Sequence, residues 1–137
     1  MKFFVLGCNG MAGHTISLYL KEKGHDVFGF DRKKSAYVTS IEGDARNTEH
    51  LRTVIAQGGF DSIINCIGIL NQSAEHNKCL AVFLNAYFPH FLADVTSETK
   101  TQVIHMSTDC VFSGEKGSYR EDDFRDGASF YDRSKAL

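Results

Sequence analysis

Tryptophan is absent from this 137-residue chain, and proline occurs once, at Pro89. There is no internal repeat and no low-complexity segment, which excludes solenoid and linker-like chains. Four cysteines are present, Cys8, Cys66, Cys79 and Cys110, with no C-x-x-C pair among them. That spacing argues against a zinc site or a disulfide framework and reads as reduced thiols of a cytoplasmic protein. The six histidines fall without ligand spacing, so no metal role is assigned to any residue. Charge of one sign is also lacking. The formal net charge is −2, so there is no basic field for nucleic acid or an anionic membrane. A phosphate ligand must then be held by local backbone and a few side chains. No apolar run approaches the roughly 20 residues that span a bilayer. The short N-terminal run Met1–Leu6 meets glycine with no cleavage pattern and predicts a strand, not a signal peptide.

What is present is an alternation of strand and helix patterns. Lys2–Leu6 predicts a buried parallel strand that stops at Gly7. Gly10 to Lys23 predicts a helix with Met11, Ile16, Leu18, Tyr19 and Leu20 as its apolar face and Gly24 as its stop. Asp26–Phe30 is a second strand and Tyr37–Glu42 a weak third. Asn47 caps a helix that runs to about Gln57, and Gly58-Gly59 ends it. Ser62–Ile67 is a fourth strand, and Thr101–Met106 a fifth. Between them, Glu75 to about Ser97 predicts one long helix, with Pro89 expected to kink it. Ser107–Ser129 reads as loop, and Phe130–Leu137 opens a last helix. The order predicts an α/β fold, a Rossmann-type doubly wound parallel sheet covered on both faces. Ligands of such sheets bind at the carboxyl ends of the strands. The segments that begin at Gly7, Asp31, Gly68 and Ser107 should therefore share one crevice.

Gly7-Cys8-Asn9-Gly10-Met11-Ala12-Gly13 joins the first strand to the first helix. In that context a G-x-x-G-x-x-G turn predicts a pyrophosphate site. Gly7 permits the turn, Gly10 lets backbone approach the phosphate, and Gly13 lets the helix pack closely. Asp31 lies at the distance where an acid meets the adenosine ribose, which favours NAD. Arg32, Lys33 and Lys34 follow at once and suit a 2′-phosphate, which favours NADP. The choice between the two stays open. Asp44 and Ala45, after the third strand, are candidates for the adenine side, with a plain turn aspartate as the alternative. Cys66, Ile67 and Gly68 line the end of the fourth strand.

Tyr131 and Lys135 stand at i and i+4 and share a helix face. An ammonium beside a phenol favours the phenolate, so the pair can exchange a proton with a carbonyl or alcohol oxygen. Tyr19 and Lys23 have the same spacing but sit at the far end of their helix, and read as surface or packing residues.

The glycine turn, Ser107-Thr108-Asp109-Cys110-Val111-Phe112-Ser113-Gly114 and Tyr131-x-x-x-Lys135 together resemble the extended short-chain dehydrogenase/reductase family. Within it they are most similar to the dTDP-4-dehydrorhamnose reductase branch. Asn85, in Leu84-Asn85-Ala86, and Tyr119-Arg120-Glu121 fit the same pattern. The resemblance implies that Thr108 hydrogen-bonds the reacting carbonyl oxygen, Tyr131 protonates it, and Lys135 orients the nicotinamide ribose. It implies cofactor contacts from Ser107 and Asn85 as well. The reaction implied is reduction of a 4-keto group on a nucleotide-linked deoxysugar with NADH or NADPH, in cell-surface polysaccharide synthesis. Cys110 replaces the glutamate that related dehydratases carry at that position, which favours reduction over elimination. Asp132 departs from the family, which usually has glycine after the tyrosine. Family members continue past this point with a C-terminal substrate domain. Residues 1–137 are therefore expected to be an incomplete NAD(P)-binding domain with an unpaired sheet edge, open to homo-oligomer formation. The competing expectation is a non-catalytic NAD(P)-binding or regulatory module, or an inactive fragment of the reductase.

Overall fold

The computed structural model describes residues 1–137. Five parallel strands form one sheet: β1 (Lys2–Leu6), β2 (Asp26–Asp31), β3 (Thr39–Glu42), β4 (Ser62–Asn65) and β5 (Gln102–His105). Their order is β3-β2-β1-β4-β5, so the chain reverses direction across the sheet after β3. This is the Rossmann-type α/β fold predicted from the alternation.

The chain divides into two compact units. The first is Met1–Ile67 with Pro89–Met106, and the second is Gly68–Phe88 with Ser107–Leu137. The first unit holds the whole sheet. Register shows how its two faces differ. Phe3 and Val5 lie opposite Val27 and Gly29, while Phe4 and Leu6 lie opposite Phe28 and Phe30. On the Val5 face, Val5, Cys8, Val27 and Val38 form a buried cluster with Ile16 and Leu20 of helix α1 (Met11–Glu22). On the Phe4 face, the Phe4 ring stacks on Phe60 at 4.4 Å and meets Phe30 edge-on at 6.1 Å. Helix α2 (Thr48–Gly58) lies on that side, with His50 against Phe30. The cap of α2 is the predicted one. The Asn47 side chain accepts the His50 N–H, and Gly59 closes the helix in the left-handed conformation.

The buried face of α1 differs from the one its spacing predicts. Gly13 and Ser17 are buried, whereas Met11 is 88% exposed and Leu18 and Tyr19 are exposed too. The helix comes so close to the glycine turn that only small residues fit its contact line. The Ser17 and Ser62 hydroxyls are buried without a hydrogen-bond partner.

The second unit contains no strand. Its helices are α3 (Asn71–His76), α4 (Lys78–Ala81) with a π-helical continuation over Val82–Tyr87, and α6 (Phe130–Ala136). Helix α5 (Phe88–Thr96) follows the π segment in the chain. The single long helix expected from Glu75 is thus broken at Asn77, whose backbone leaves the helical region (φ −132°) and whose side chain accepts the Leu80 N–H. Pro89 does not end the helical run. The π segment stands just before it, and a π turn accommodates a residue that cannot donate to the carbonyl four back. Lys78–Thr96 as a whole is long and apolar enough to cross a membrane by length and composition, beyond what the residue run alone suggested. Asn85, Phe88, Phe91, Leu92 and Thr96 within it are buried. The loop expected over Ser107–Ser129 includes one 3₁₀ turn, Asp109–Val111.

Candidate active site

The glycine turn belongs to the first unit. Gly7 adopts φ +79°, a conformation that L side chains rarely take. A Cβ on Gly13 would lie 2.1 Å from the Gly7 carbonyl oxygen, so this helix can approach the turn only without one. Gly10 is the N-cap of α1 and offers no side-chain cap, and the first turn holds no acid. The N–H groups of Met11, Ala12 and Gly13 therefore have no capping acceptor from a side chain, and the positive end of the helix is left bare. This is the arrangement a pyrophosphate requires.

Asp31 braces the turn. Its Oδ2 accepts the Asn9 N–H at 3.0 Å and its Oδ1 accepts the Arg32 N–H at 2.7 Å. Asn9 in turn donates its side-chain amide to the Lys33 carbonyl at 2.8 Å. Arg32, Lys33 and Lys34 are exposed. Burial, helped by the nearby Asp31 charge, pushes the Cys8 thiol above its ordinary range, so Cys8 is a packing residue. Asp44 sits in the turn before α2. Its carboxylate takes the Arg46 side chain at 2.6 Å and the Arg46 N–H at 2.9 Å, which holds it down at about 2. Ala45 is buried beside it.

At the end of β4, Asn65 is fully buried. Its Oδ1 accepts the Ile67 N–H at 3.0 Å and its Nδ2 meets His105 Nδ1 at 3.0 Å. Asn65 thereby shapes the Cys66-Ile67 corner, a task that residue type alone did not reveal. Burial raises the Cys66 thiol.

In the second unit, Tyr131 is buried and Lys135 half-buried on adjacent turns of α6. Burial lowers the Lys135 ammonium below the ordinary lysine range. Tyr131 packs with Ala74, Ala81, Ile69 and Phe130. The start of α6 is fixed twice. Ser129 and Asp132 form a capping box, each side chain accepting the other's backbone N–H at 3.1 and 2.9 Å. Glu75 accepts the Phe130 N–H at 2.5 Å. Asp132, a departure at the level of sequence, is thus the residue that starts this helix. The Ser-x-x-Asp spacing was its legible signal. Thr108 caps the 3₁₀ turn by accepting the Cys110 N–H at 3.2 Å, and Ser107 beside it is exposed.

Asn85 is buried in the π segment. Its Oδ1 accepts the Ile69 N–H, and its amide donates to the Ile69 carbonyl and to Ser134 Oγ, all at 3.0 Å. A Cβ on Gly68 would stand 3.2 Å from Asn85 Oδ1. Both Asn85 donors are spent inside the protein, which leaves part of the Oδ1 acceptor capacity for any further contact. The decoy pair Tyr19 and Lys23 is a surface pair, with the lysine ammonium 5.2 Å from the ring centre.

The RmlD substrate binding domain family matches residues 1–137, the full chain. The chain belongs to that family. The probable low-salt glycan biosynthesis reductase Agl14 of Haloferax volcanii is 32% identical over 98% of this chain and 46% of its own length. The structure of a hypothetical dTDP-4-dehydrorhamnose reductase from Sulfolobus tokodaii superposes with a TM-score of 0.89 at 27% identity, covering 100% of this chain and 50% of that one. The Bordetella bronchiseptica enzyme WbmG, solved with NAD and UDP, shares the fold at 15% identity with a TM-score of 0.83, over 98% of this chain and 46% of that one. The chain spans between 35% and 46% of the length of the curated relatives it matches.

Proposed function

We propose that this chain supplies the cofactor-binding and proton-transferring part of an NAD(P)H-dependent reductase that acts on a 4-keto group of a nucleotide-linked deoxysugar. The observation that carries the reading is the pairing of Tyr131 and Lys135 on one helix with a fixed N-terminus, in a chain that matches the RmlD substrate binding domain family throughout and has reductases among its relatives. A cytoplasmic setting goes with this reading and with four free thiols.

In this reading the pyrophosphate rests on the bare α1 N-terminus, against Gly7, Asn9, Gly10, Met11, Ala12 and Gly13. Asp31 or Arg32 meets the adenosine ribose, Asp44 and Ala45 the adenine, and Cys66, Ile67, Gly68, Asn85 and Ser107 the remainder. The reduced nicotinamide supplies hydride to the carbonyl carbon when bound. Thr108 donates a hydrogen bond to the carbonyl oxygen. Tyr131 gives that oxygen a proton, so the carbonyl becomes an alcohol and the tyrosine a phenolate, which recovers its proton from solvent. Lys135 stabilises the phenolate and holds the ribose. Asp31 favours NAD and Arg32 favours NADP.

Calorimetric titration with NADH and NADPH tests the cofactor half. At least one is expected to bind, and Gly10→Val is expected to block it by placing a branched side chain over the phosphate seat. Failure of both nucleotides to bind overturns that half. Oxidation of NAD(P)H by 4-keto sugar nucleotides, measured on the protein from its complete reading frame, tests the reaction. Tyr131→Phe is expected to lower kcat by about 10²–10⁴. Full activity of that variant would remove the proposed proton donor. Binding without turnover by the wild type would favour the regulatory reading instead.

A further inference from the structure

A buried hydrogen-bond chain passes through the second unit. From the Ile69 carbonyl it runs through Asn85 Nδ2 to Ser134 Oγ at 3.0 Å, and from Ser134 Oγ to the Tyr131 carbonyl at 2.8 Å. Asn85 Oδ1 takes the Ile69 N–H, so the loop at Ile69 is gripped from both its backbone groups. Ser134 is 1% exposed, precedes Lys135 directly and follows Tyr131 by three residues. Its hydroxyl accepts from one partner and donates to the other, which uses its only proton and fixes its rotamer. A serine that bonds back to the carbonyl three residues earlier also sets the local pitch of a helix. In the seven-residue α6, that pitch sets the angle between the Tyr131 and Lys135 side chains.

We infer that Ser134 is a positioning residue. Through Asn85 it locks α6 to the Gly68–Ile69 loop, so that the orientation of Tyr131 and Lys135 depends on the loop assigned above to the cofactor. This inference rests on the proposed function for its catalytic consequence, but its structural part stands alone. An apolar residue of similar size could fill the site. What it could not do is pass a fixed direction from the loop to the helix. The neighbouring Glu75 bond to Phe130 holds the start of α6 only and leaves its twist undetermined.

The test uses protein from the complete reading frame, wild type against Ser134→Ala. Amide hydrogen exchange over residues 130–136 is read with and without the nucleotide that binds. In the wild type, cofactor is expected to slow exchange in α6 about tenfold, and in Ser134→Ala that gain is expected to vanish. Cofactor affinity should fall by less than kcat, because the α1 N-terminus is untouched while the Lys135 contact to the ribose is loosened, and kcat falls about tenfold or more. The alkaline limb of the kcat profile should move to higher pH. Loosening α6 admits water to Lys135, and that relieves the burial that holds its ammonium low. Ser134→Cys, which keeps a weak donor at nearly the same volume, should recover part of kcat and replaces Ser134→Ala if the latter does not fold. Unchanged exchange in the variant overturns the lock, whether or not the enzyme turns over. Loosened exchange with kcat and its pH profile unaltered shows a structural bond only and overturns the positioning role. Absence of turnover by the wild type defeats the proposed reaction while the exchange result still decides the lock.

Discussion

The two units are held together by different physics. The first is a parallel sheet whose strands bury Phe4, Val5, Leu6, Phe30 and Ile63 almost completely. Its order comes from apolar area and a regular ladder. The second has a small apolar cluster, Ala74, Ala81 and Tyr131, and relies on side-chain hydrogen bonds. Asn85 ties Ile69 to Ser134, and Ser129 and Asp132 start α6. Asp126 accepts the Ser113 N–H, the Ser113 hydroxyl and the Tyr119 hydroxyl at 2.7–2.9 Å. An apolar core tolerates exchange of one hydrocarbon for another, while a polar network fails at single atoms. Tyr131 and Lys135, the proposed proton-transfer pair, are in the second kind of structure, and the glycine turn is in the first.

That contrast can be broken from either side. The largest effect is expected in the first unit: Phe4→Ala should cost about 3–5 kcal/mol in urea unfolding, since it empties a fully buried ring position. A cost below 1 kcal/mol would deny the sheet core its role. Gly13→Ala should cost about 3 kcal/mol and weaken nucleotide binding, because its methyl group must displace the Gly7 carbonyl. Unaltered binding and stability would show that α1 can move back freely.

Asp126→Ala should act locally. Protease cleavage within 113–126 is expected to rise several-fold while the sheet keeps its urea midpoint. Acid should do the same without mutation. The Ser113 N–H and the hydroxyls hold the Asp126 carboxyl below its ordinary range, so its contribution is present above about pH 4 and is lost as pH falls through its lowered value. Cleavage that is flat with pH would sever Asp126 from the order of this loop. The smallest effect, and opposite in sign, is expected for Ser17→Ala. Removing a buried hydroxyl without a partner should stabilise the protein by about 0.5–1 kcal/mol. A loss would mean that the hydroxyl is satisfied in solution.

Legibility in sequence follows the same division. β1, β2, β4 and β5 stand close to where their apolar runs put them, and Asn47 caps α2 as expected, because periodicity and capping are local signals. The spacing of the glycines also carried over, since a steric requirement leaves only one residue type. The buried face of α1 departs from its apolar spacing because closeness of approach, visible only in three dimensions, puts Gly13 and Ser17 at the contact in place of Leu18 and Tyr19. Ser134, Asn65 and Glu75 carry no periodic signal, and their partners lie 49, 40 and 55 residues away. Nothing within a window of sequence announces such bonds.

The π segment ahead of Pro89 has a consequence for how this chain can vary. Successive residues of a helix are rotated by about 100°, so one residue more or less resets the phase of everything beyond it. Asn85 points inward by virtue of that phase. A one-residue deletion between Val82 and Tyr87 would turn one side of the helical run against the other and cut the line from Ile69 to Tyr131, even with every named side chain still encoded. In this stretch residue count is as much a part of the message as residue identity.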